Sequence, residues 1–343
     1  MYQTLNRVPE ITGQAFDNLP FDQLIGEDKP VIFKGLARDL PLVQQGLISP
    51  QAAMAYINSF YQGKPVLVFT GEPDIKGRFS YNKTMDGFNF SGERHTMESF
   101  FSTLTDALEM ERPPHYYLGS TDLETFLPGL LDHNSLNFNH DIFHHNGFLK
   151  TIWIGNETTA CAHYDISHNM AVCMAGHRRF TLFPPSQIAN LYPGPLEPTP
   201  GGQVISLVDF TNPDFTKYPK FAEALTHAQV AELEPGDVLY YPSMWWHQVE
   251  ALDRFNVLIN YWWDMVPDHI DTPATTLLHA LLSLRQRPSE EKQAWKAIFD
   301  YYIFGENEPA TDHIEPHAQG ALAPLDGLQA RRLRAIILNK INR

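Results

Sequence analysis

Between residues 115 and 264 the chain is cut into short runs of β-branched, aromatic and apolar residues. HYYLGS, FLKTIWIGN, CAHYDISHNMAVCMAG, RRFTLFPP, QVISLVDF, AQVAELEPGDVLYYP, HQVEAL and FNVLINYWWD follow one another, with Gly, Pro, Asn and Asp between them. Many short strands with turn residues at their ends predict a β-sandwich or barrel. Two doubly wound βαβ units are not supported, because no long helical pattern intervenes. The flanks have a different texture. PVIFKGL (30–36) and KPVLVFTG (64–71) read as strands. SPQAAMAYINSF (49–60) and MESFFSTLTDAL (97–108) read as helices, the first capped by Ser49, the second with Phe100, Phe101, Leu104 and Leu108 on one stripe.

After about residue 265 the spacing becomes helical. Leu277, Ala280, Leu281 and Leu284 share a stripe, as do Trp295, Ile298, Phe299 and Tyr302, and Leu333, Ile337 and Ile341 follow in a last helix. These stripes require cover, either the barrel itself or a second subunit. The expected organisation is a mainly β protein with flanking helices. Residues 1–111 form an α/β extension, 112–264 the β core and 265–343 a helical region that is a candidate dimerisation element.

Composition narrows the function classes. With 43% hydrophobic residues and 12% aromatics there is material for a large core. A formal net charge of -15 disfavours general attraction to nucleic acid or an anionic membrane. Arg331, Arg332 and Arg334 are the densest basic cluster and read as the solvated face of a terminal helix. Two cysteines, Cys161 and Cys173, imply no disulfide framework. The opening MYQTLNRVPEITG lacks the charged and apolar regions of a signal peptide, and no apolar run reaches membrane-spanning length. A cytoplasmic protein is expected.

The segment CAHYDISHNM carries the chemistry. In a strand, residues i and i+2 share a face, so His163 and Asp165 point together while Tyr164 points away. A carboxylate turned into a barrel is costly unless it is paired or bound to a metal. His247, in PSMWWHQVEAL, follows the Pro235-Gly236-Asp237 turn on a distant strand. Two histidines and one carboxylate form a facial triad that leaves three metal positions open, the arrangement of non-haem Fe(II) oxygenases. Each piece alone is ambiguous. His-X-Asp is common as a hydrogen-bonded polar pair, and a lone strand histidine is usually structural.

Longer segments carry a resemblance. AHYD, GHRRFTLFPPSQIANLYPGP, VDFTNPDFTKYPKF, EPGDVLYYPSMWWHQVEAL and NVLINYWW are similar to the JmjC and cupin-like Fe(II)/2-oxoglutarate oxygenases, most of all to their asparaginyl-hydroxylase branch. The resemblance covers residues 112 to 264 and implies a double-stranded β-helix, a cupin-like jelly roll. It implies that His163, Asp165 and His247 bind Fe(II), with 2-oxoglutarate and O2 as co-substrates. Tyr117 matches a tyrosine that contacts the distal carboxylate of 2-oxoglutarate, and Asn169 and Asn260 match two pocket asparagines. Arg178 stands where those hydroxylases have a lysine. Arginine keeps the charge and binds carboxylates through two parallel hydrogen bonds. Its neighbour Arg179 takes that role if a bulge shifts the register. Ala160 replaces a threonine of the family, and Thr159 is the adjacent substitute.

The function implied is hydroxylation of a C–H bond, on a protein side chain, with release of succinate and CO2. A small-molecule or RNA-base hydroxylase of the same mechanism is the nearest alternative, and a non-catalytic metal-binding cupin module the more distant one. Partners are therefore a peptide or a small molecule, with no membrane expected and nucleic acid disfavoured. Cys161 shares the parity of His163 and is expected to pack. Trp245, Trp246, Trp262 and Trp263 are expected in the barrel wall, one of them a candidate for the substrate entrance. His140, His144, His145 and His168 form a further histidine cluster in sequence, with His168 a candidate substrate contact.

Overall fold

A computed structural model describes residues 5–15, 18–145, 148–305 and 310–342. Fifteen strands among them build two sheets. In chain order they are β1 (Asn6–Arg7), β2 (Glu10–Ile11), β3 (Val31–Phe33), β4 (Val66–Gly71), β5 (Arg78–Phe79), β6 (Ser91–His95), β7 (His115–Asp122), β8 (Phe148–Gly155), β9 (Thr159–Tyr164), β10 (His168–Ala175), β11 (Arg178–Phe183), β12 (Gln229–Leu233), β13 (Val238–Tyr241), β14 (Trp246–Ala251) and β15 (Asn256–Trp263). The larger sheet runs β2-β3-β13-β10-β15-β8-β7-β4-β6 and the smaller β1-β12-β11-β14-β9-β5. Strand order departs from chain order and the core pairings are antiparallel, as a jelly roll requires.

One buried cluster joins Ala171, Cys173, Leu239 and Leu258 of the larger sheet to Phe180, Leu182, Ala231 and Leu233 of the smaller. The two sheets therefore face each other across a shared core. The outer face of the larger sheet is covered by helices. Val172, Met174, Tyr240 and Tyr261 pack there with Leu42, Val43 and Ile57 and with Phe100, Phe101 and Leu104 of the helix Met97–Glu109. The helix Pro50–Asn58 begins as expected, with the Ser49 hydroxyl accepting from Ala52 N at 3.0 Å.

The Pro235-Gly236-Asp237 turn is a load transfer point between sheets. Gly236 has φ +96°, and a Cβ there would lie 2.7 Å from Arg38 Cα. The Asp237 carboxylate is buried and accepts from Gly35 N and Glu234 N, both at 2.8 Å, and from Lys34 Nζ. Burial alone would pull the Lys34 ammonium down, but the Asp237 carboxylate outweighs this and holds its pKa above the ordinary lysine range.

One expected strand is absent. Residues 203–210 do not join a ladder but fold with 192–195 into an arch, with a single bridge between Pro193 and Ser206. Prolines at 193, 195, 198 and 200 lack the N–H that a ladder needs. The arch still buries Val204, Ile205, Val208 and Phe210.

The chain divides into two compact units, Met1–Met265 and Val266–Arg343. The second contains the helices Pro273–Ser283, Ser289–Phe299 and Gly327–Ile341. No helix among the described residues is long and apolar enough to cross a membrane.

Candidate metal centre and co-substrate pocket

β9 and β14 are neighbours in the smaller sheet, and His163 lies directly opposite His247. The two imidazole rings are 4.3 Å apart between centroids. Asp165 follows the end of β9, and its Oδ2 lies 3.5 Å from His247 Nε2. One ligand atom from each of the three lies within 4.8 Å of the others. Among the described residues no other group of three histidine, cysteine or carboxylate side chains converges in this way.

Both histidines are oriented by the same device. His163 Nδ1–H donates to the carbonyl of Cys161 at 2.8 Å, and His247 Nδ1–H donates to the carbonyl of Trp245 at 2.9 Å. A carbonyl only accepts, so each ring carries its proton on Nδ1 and presents a bare Nε2 to the centre. Burial, with a smaller contribution from His247, pulls the His163 pKa down to about 4, so this imidazole is neutral at physiological pH. Burial pushes the Asp165 carboxyl upward, but its proximity to His247, His163 and Trp262 outweighs this and leaves it below the usual carboxylate range. The set is two imidazole nitrogens and one carboxylate, which suits a ferrous ion.

The centre lies in a cavity of about 520 Å³ between the sheets. Arg178 projects into it from β11 and is almost fully buried, with Nε and Nη2 lacking any partner in the protein. Burial lowers its pKa, and the nearby Tyr117 and Cys173 act in the opposite direction. Tyr117 lines the same cavity, and burial pushes its phenol up to about 12, so it stays a neutral donor. A buried cation with two unspent donors beside a phenol is a receptor for an anion. Arg179 faces away and pairs with Glu232 at 3.2 Å and Glu250 at 3.7 Å. The register is therefore resolved in favour of Arg178.

The remaining expected residues divide. Asn260 lines the cavity, and its side-chain amide lies 3.0 Å from Asn169 Oδ1 and 2.7 Å from Trp262 Nε1, so Asn169 braces the wall. Thr159 is not in the wall. The pairing of β9 with β14 slips between His247 and Val249, and this bulge turns Ala160 to the cavity while Thr159 lies opposite Glu250. His168 is a correction as well. It leaves the cavity side, stacks on Tyr240 and Trp263, and its Nδ1 lies 3.0 Å from the Tyr240 hydroxyl. Strand parity explains this, since its neighbour Asn169 is the inward residue. His140 pairs with Asp22 at 3.3 Å, while the side chains of His144 and His145 lie outside the described residues. Cys161 is buried in the wall and donates to the Phe79 carbonyl at 3.3 Å.

Of the four tryptophans, Trp246 and Trp263 are fully buried, Trp245 sits in the core between the sheets, and Trp262 reaches the cavity. Sequence reading missed Trp262, whose Nε1 lies 2.7 Å from the Asn260 amide, and the position of Tyr241, whose ring lies 4.6 Å from that of His247. Parity carried a signal for Tyr241, which is paired with the inward Asn169.

Two facing sheets that enclose such a donor cluster define a class, the cupin-type double-stranded β-helix proteins. The family model of the cupin-like domain matches residues 18–269. The chain belongs to this JmjC/cupin-like family. It is 34% identical over 155 residues to the human protein named HSPB1-associated protein 1, covering 44% of this chain and 31% of that one. It is 32% identical over 126 residues to the Arabidopsis thaliana protein named lysine-specific demethylase JMJ31, covering 35% and 22%. It is 36% identical over 105 residues to the Gallus gallus protein named tRNA wybutosine-synthesizing protein 5, covering 31% and 30%. The matched stretches thus span less than a third of each of these relatives.

Proposed function

We propose that this chain is an Fe(II)- and 2-oxoglutarate-dependent oxygenase that hydroxylates a C–H bond of a protein side chain. The observation that carries the reading is the coincidence, in one cavity, of the His163–Asp165–His247 cluster with the unpartnered Arg178 guanidinium beside Tyr117. The relatives named as a demethylase and as a tRNA-modifying protein support oxygenase-type chemistry. The protein-side-chain assignment is favoured over RNA by the net charge of -15.

In this reading His163, Asp165 and His247 hold the metal through Nε2, a carboxylate oxygen and Nε2. Iron bound there supplies the O2 chemistry that couples conversion of 2-oxoglutarate to succinate and CO2 with insertion of one oxygen atom into a substrate C–H bond. The chain's own work is orientation and exclusion. The Cys161 and Trp245 carbonyls fix the two imidazoles. Arg178 neutralises the distal carboxylate of 2-oxoglutarate and Tyr117 donates to it. Asn260, braced by Asn169 and Trp262, keeps the wall in register. The sheets exclude water from the carboxylate, which raises the value of each of these contacts.

The test is succinate formation from 2-oxoglutarate with added Fe(II), together with mass spectrometry of candidate peptides for the gain of one oxygen. A folded, iron-loaded chain that forms no succinate in any condition supports the non-catalytic cupin module instead. A homodimer is proposed through the C-terminal helices, where Leu278, Leu282, Ile303, Phe304 and Leu338 are exposed, and sedimentation of the full chain tests it. A cytoplasmic location is proposed from the two buried free cysteines.

A further inference from the structure

The larger sheet ends in β6, and among the described residues no strand pairs with its outer edge. The strand is exposed over Ser91, Gly92, Glu93 and Arg94. It lies beside the cavity. Phe90, which directly precedes it, lines the cavity wall, as do Leu67 and Phe69 of its neighbour β4.

The ladders fix the direction of its main-chain groups. Tyr116 N donates to Asn156 Oδ1 at 2.8 Å, and the Tyr116 carbonyl accepts from Asn156 N at 3.3 Å, so Tyr116 faces β8. In an antiparallel sheet successive residues face opposite neighbours. Tyr117 therefore faces β4, and its partner Phe69 faces back to β7. Val68 and Thr70 then face β6, and their partners Glu93 and Ser91 face back to β4. Gly92 and Arg94 are left with N–H and C=O turned outward, and nothing among the described residues pairs with them.

The same two residues shape the inner face. Gly92 stands opposite Phe69 and Arg94 opposite Leu67, so both lie on the cavity side of the sheet. A Cβ on Gly92 would lie 3.1 Å from Phe69 Cδ1 and Cε1. Its absence leaves a notch over the Phe69 ring, which packs on Phe90 at 5.4 Å.

Unspent main-chain donors and acceptors along a strand edge are complemented by another extended main chain. A second copy of this chain fits poorly there. Full-length antiparallel self-pairing of Ser91–His95 sets Glu93 against Glu93. A different polypeptide avoids that clash, and Arg94 favours an acidic residue at the facing position.

We infer that the outer edge of β6 docks an extended stretch of a polypeptide substrate as an added strand. One side chain of that strand sits over Gly92, and the chain runs past Phe90 to the cavity. The choice of a polypeptide rests on the protein-side-chain reading. The inference adds where that polypeptide is held, and that its main chain is recognised.

The probe is acetyl-Thr-Glu-Thr-Leu-Thr-Glu-Thr-amide, which reads the same in both directions and places leucine over Gly92. NMR of the isotope-labelled, metal-free full chain follows binding, and the Gly92 and Arg94 amide signals are expected to move at millimolar peptide. N-methylation of the leucine and both glutamates blocks the edge-facing N–H groups and should weaken binding at least about tenfold. N-methylation of the two central threonines, which face away, should not. Arg94→Pro removes one outward N–H at a position where an edge strand tolerates proline. It should weaken binding more than Arg94→Ala, which keeps that N–H. If Arg94→Pro does not fold, the methylated peptides decide alone. Equal binding of the two methylated peptides overturns the inference, as does binding of no peptide, or an equal effect of the two substitutions in chains of native circular dichroism. Signals of Gly92 and Arg94 that move on dilution without peptide, an effect abolished by Arg94→Pro, assign the edge to a second copy and also overturn it. No arm needs iron or turnover. Failure to form succinate therefore removes the oxygenase reading and leaves the docking edge to stand or fall alone.

Discussion

Replacing Arg178 with methionine should make the ligand-free protein more stable and the 2-oxoglutarate complex weaker. Arg178 is 2% exposed, and its Nε and Nη2 have no protein partner. Each unpaired buried donor costs about 1–3 kcal/mol, and more when it belongs to a charged group. Methionine keeps most of the apolar stem and loses some volume, which returns part of that gain. The net expectation is a stabilisation of about 1–3 kcal/mol, equal to a rise of about 2–4 °C in Tm for each kcal/mol. The ligand complex moves in the opposite direction. Removing one partner of a buried charge-assisted pair costs about 2–5 kcal/mol, or tens- to thousands-fold in Kd. Thermal denaturation with and without 2-oxoglutarate reads both effects. At a hundred times Kd the wild-type chain gains about 2.7 kcal/mol, a gain the variant should lack. Arg178→Lys should keep part of it. Arg179→Met, on the face that pairs with Glu232 and Glu250, should leave it intact. A variant that is less stable without ligand, or that keeps the full response to 2-oxoglutarate, refutes the reasoning that this guanidinium waits for an anion.

Trp262→Phe removes the indole N–H that holds the Asn260 amide and helps keep the Asp165 carboxyl ionised, and should weaken metal binding by about 10–100-fold, read by titration with Co(II) and its visible spectrum. The metal-free chain should lose stability in acid. His163 titrates near 6.5 when unfolded and at about 4 when folded, so between these values the unfolded chain binds more protons and stability rises with pH. The loss on going from pH 6.5 to pH 4 should reach at most about 3 kcal/mol from this group, and urea midpoints for His163→Gln, which cannot titrate there, should show a shallower dependence. Gly236→Ala combines a left-handed φ of +96° with a Cβ 2.7 Å from Arg38 Cα, and should cost about 2–5 kcal/mol in chemical denaturation.

What the sequence alone determined is local. Alternation along CAHYD put His163 and Asp165 on one face, and their geometry in the cavity follows from that parity. Ser49 as a helix cap, the stripe of Phe100, Phe101 and Leu104, and the Pro-Gly-Asp turn before β13 were legible because each depends on a few adjacent residues. The family segments extended this to the choice of His247, Tyr117 and Arg178.

Tertiary structure decided what depends on a neighbouring strand. Whether Ala160 or Thr159 meets the cavity turns on one slipped pair between β9 and β14, and parity counted on one strand cannot register a bulge dictated by its partner. Whether Arg178 or Arg179 is buried depends on which face of β11 meets the other sheet, although both carry the same charge. His168 went to the helical side because the larger sheet has apolar cover on both faces there, so burial of β10 is uniform and its composition marks no inward side. The aromatic part of the cavity wall was equally unreadable, because Phe69 of β4, Phe90 just before β6 and Trp153 of β8 line one cavity only when the sheets are assembled.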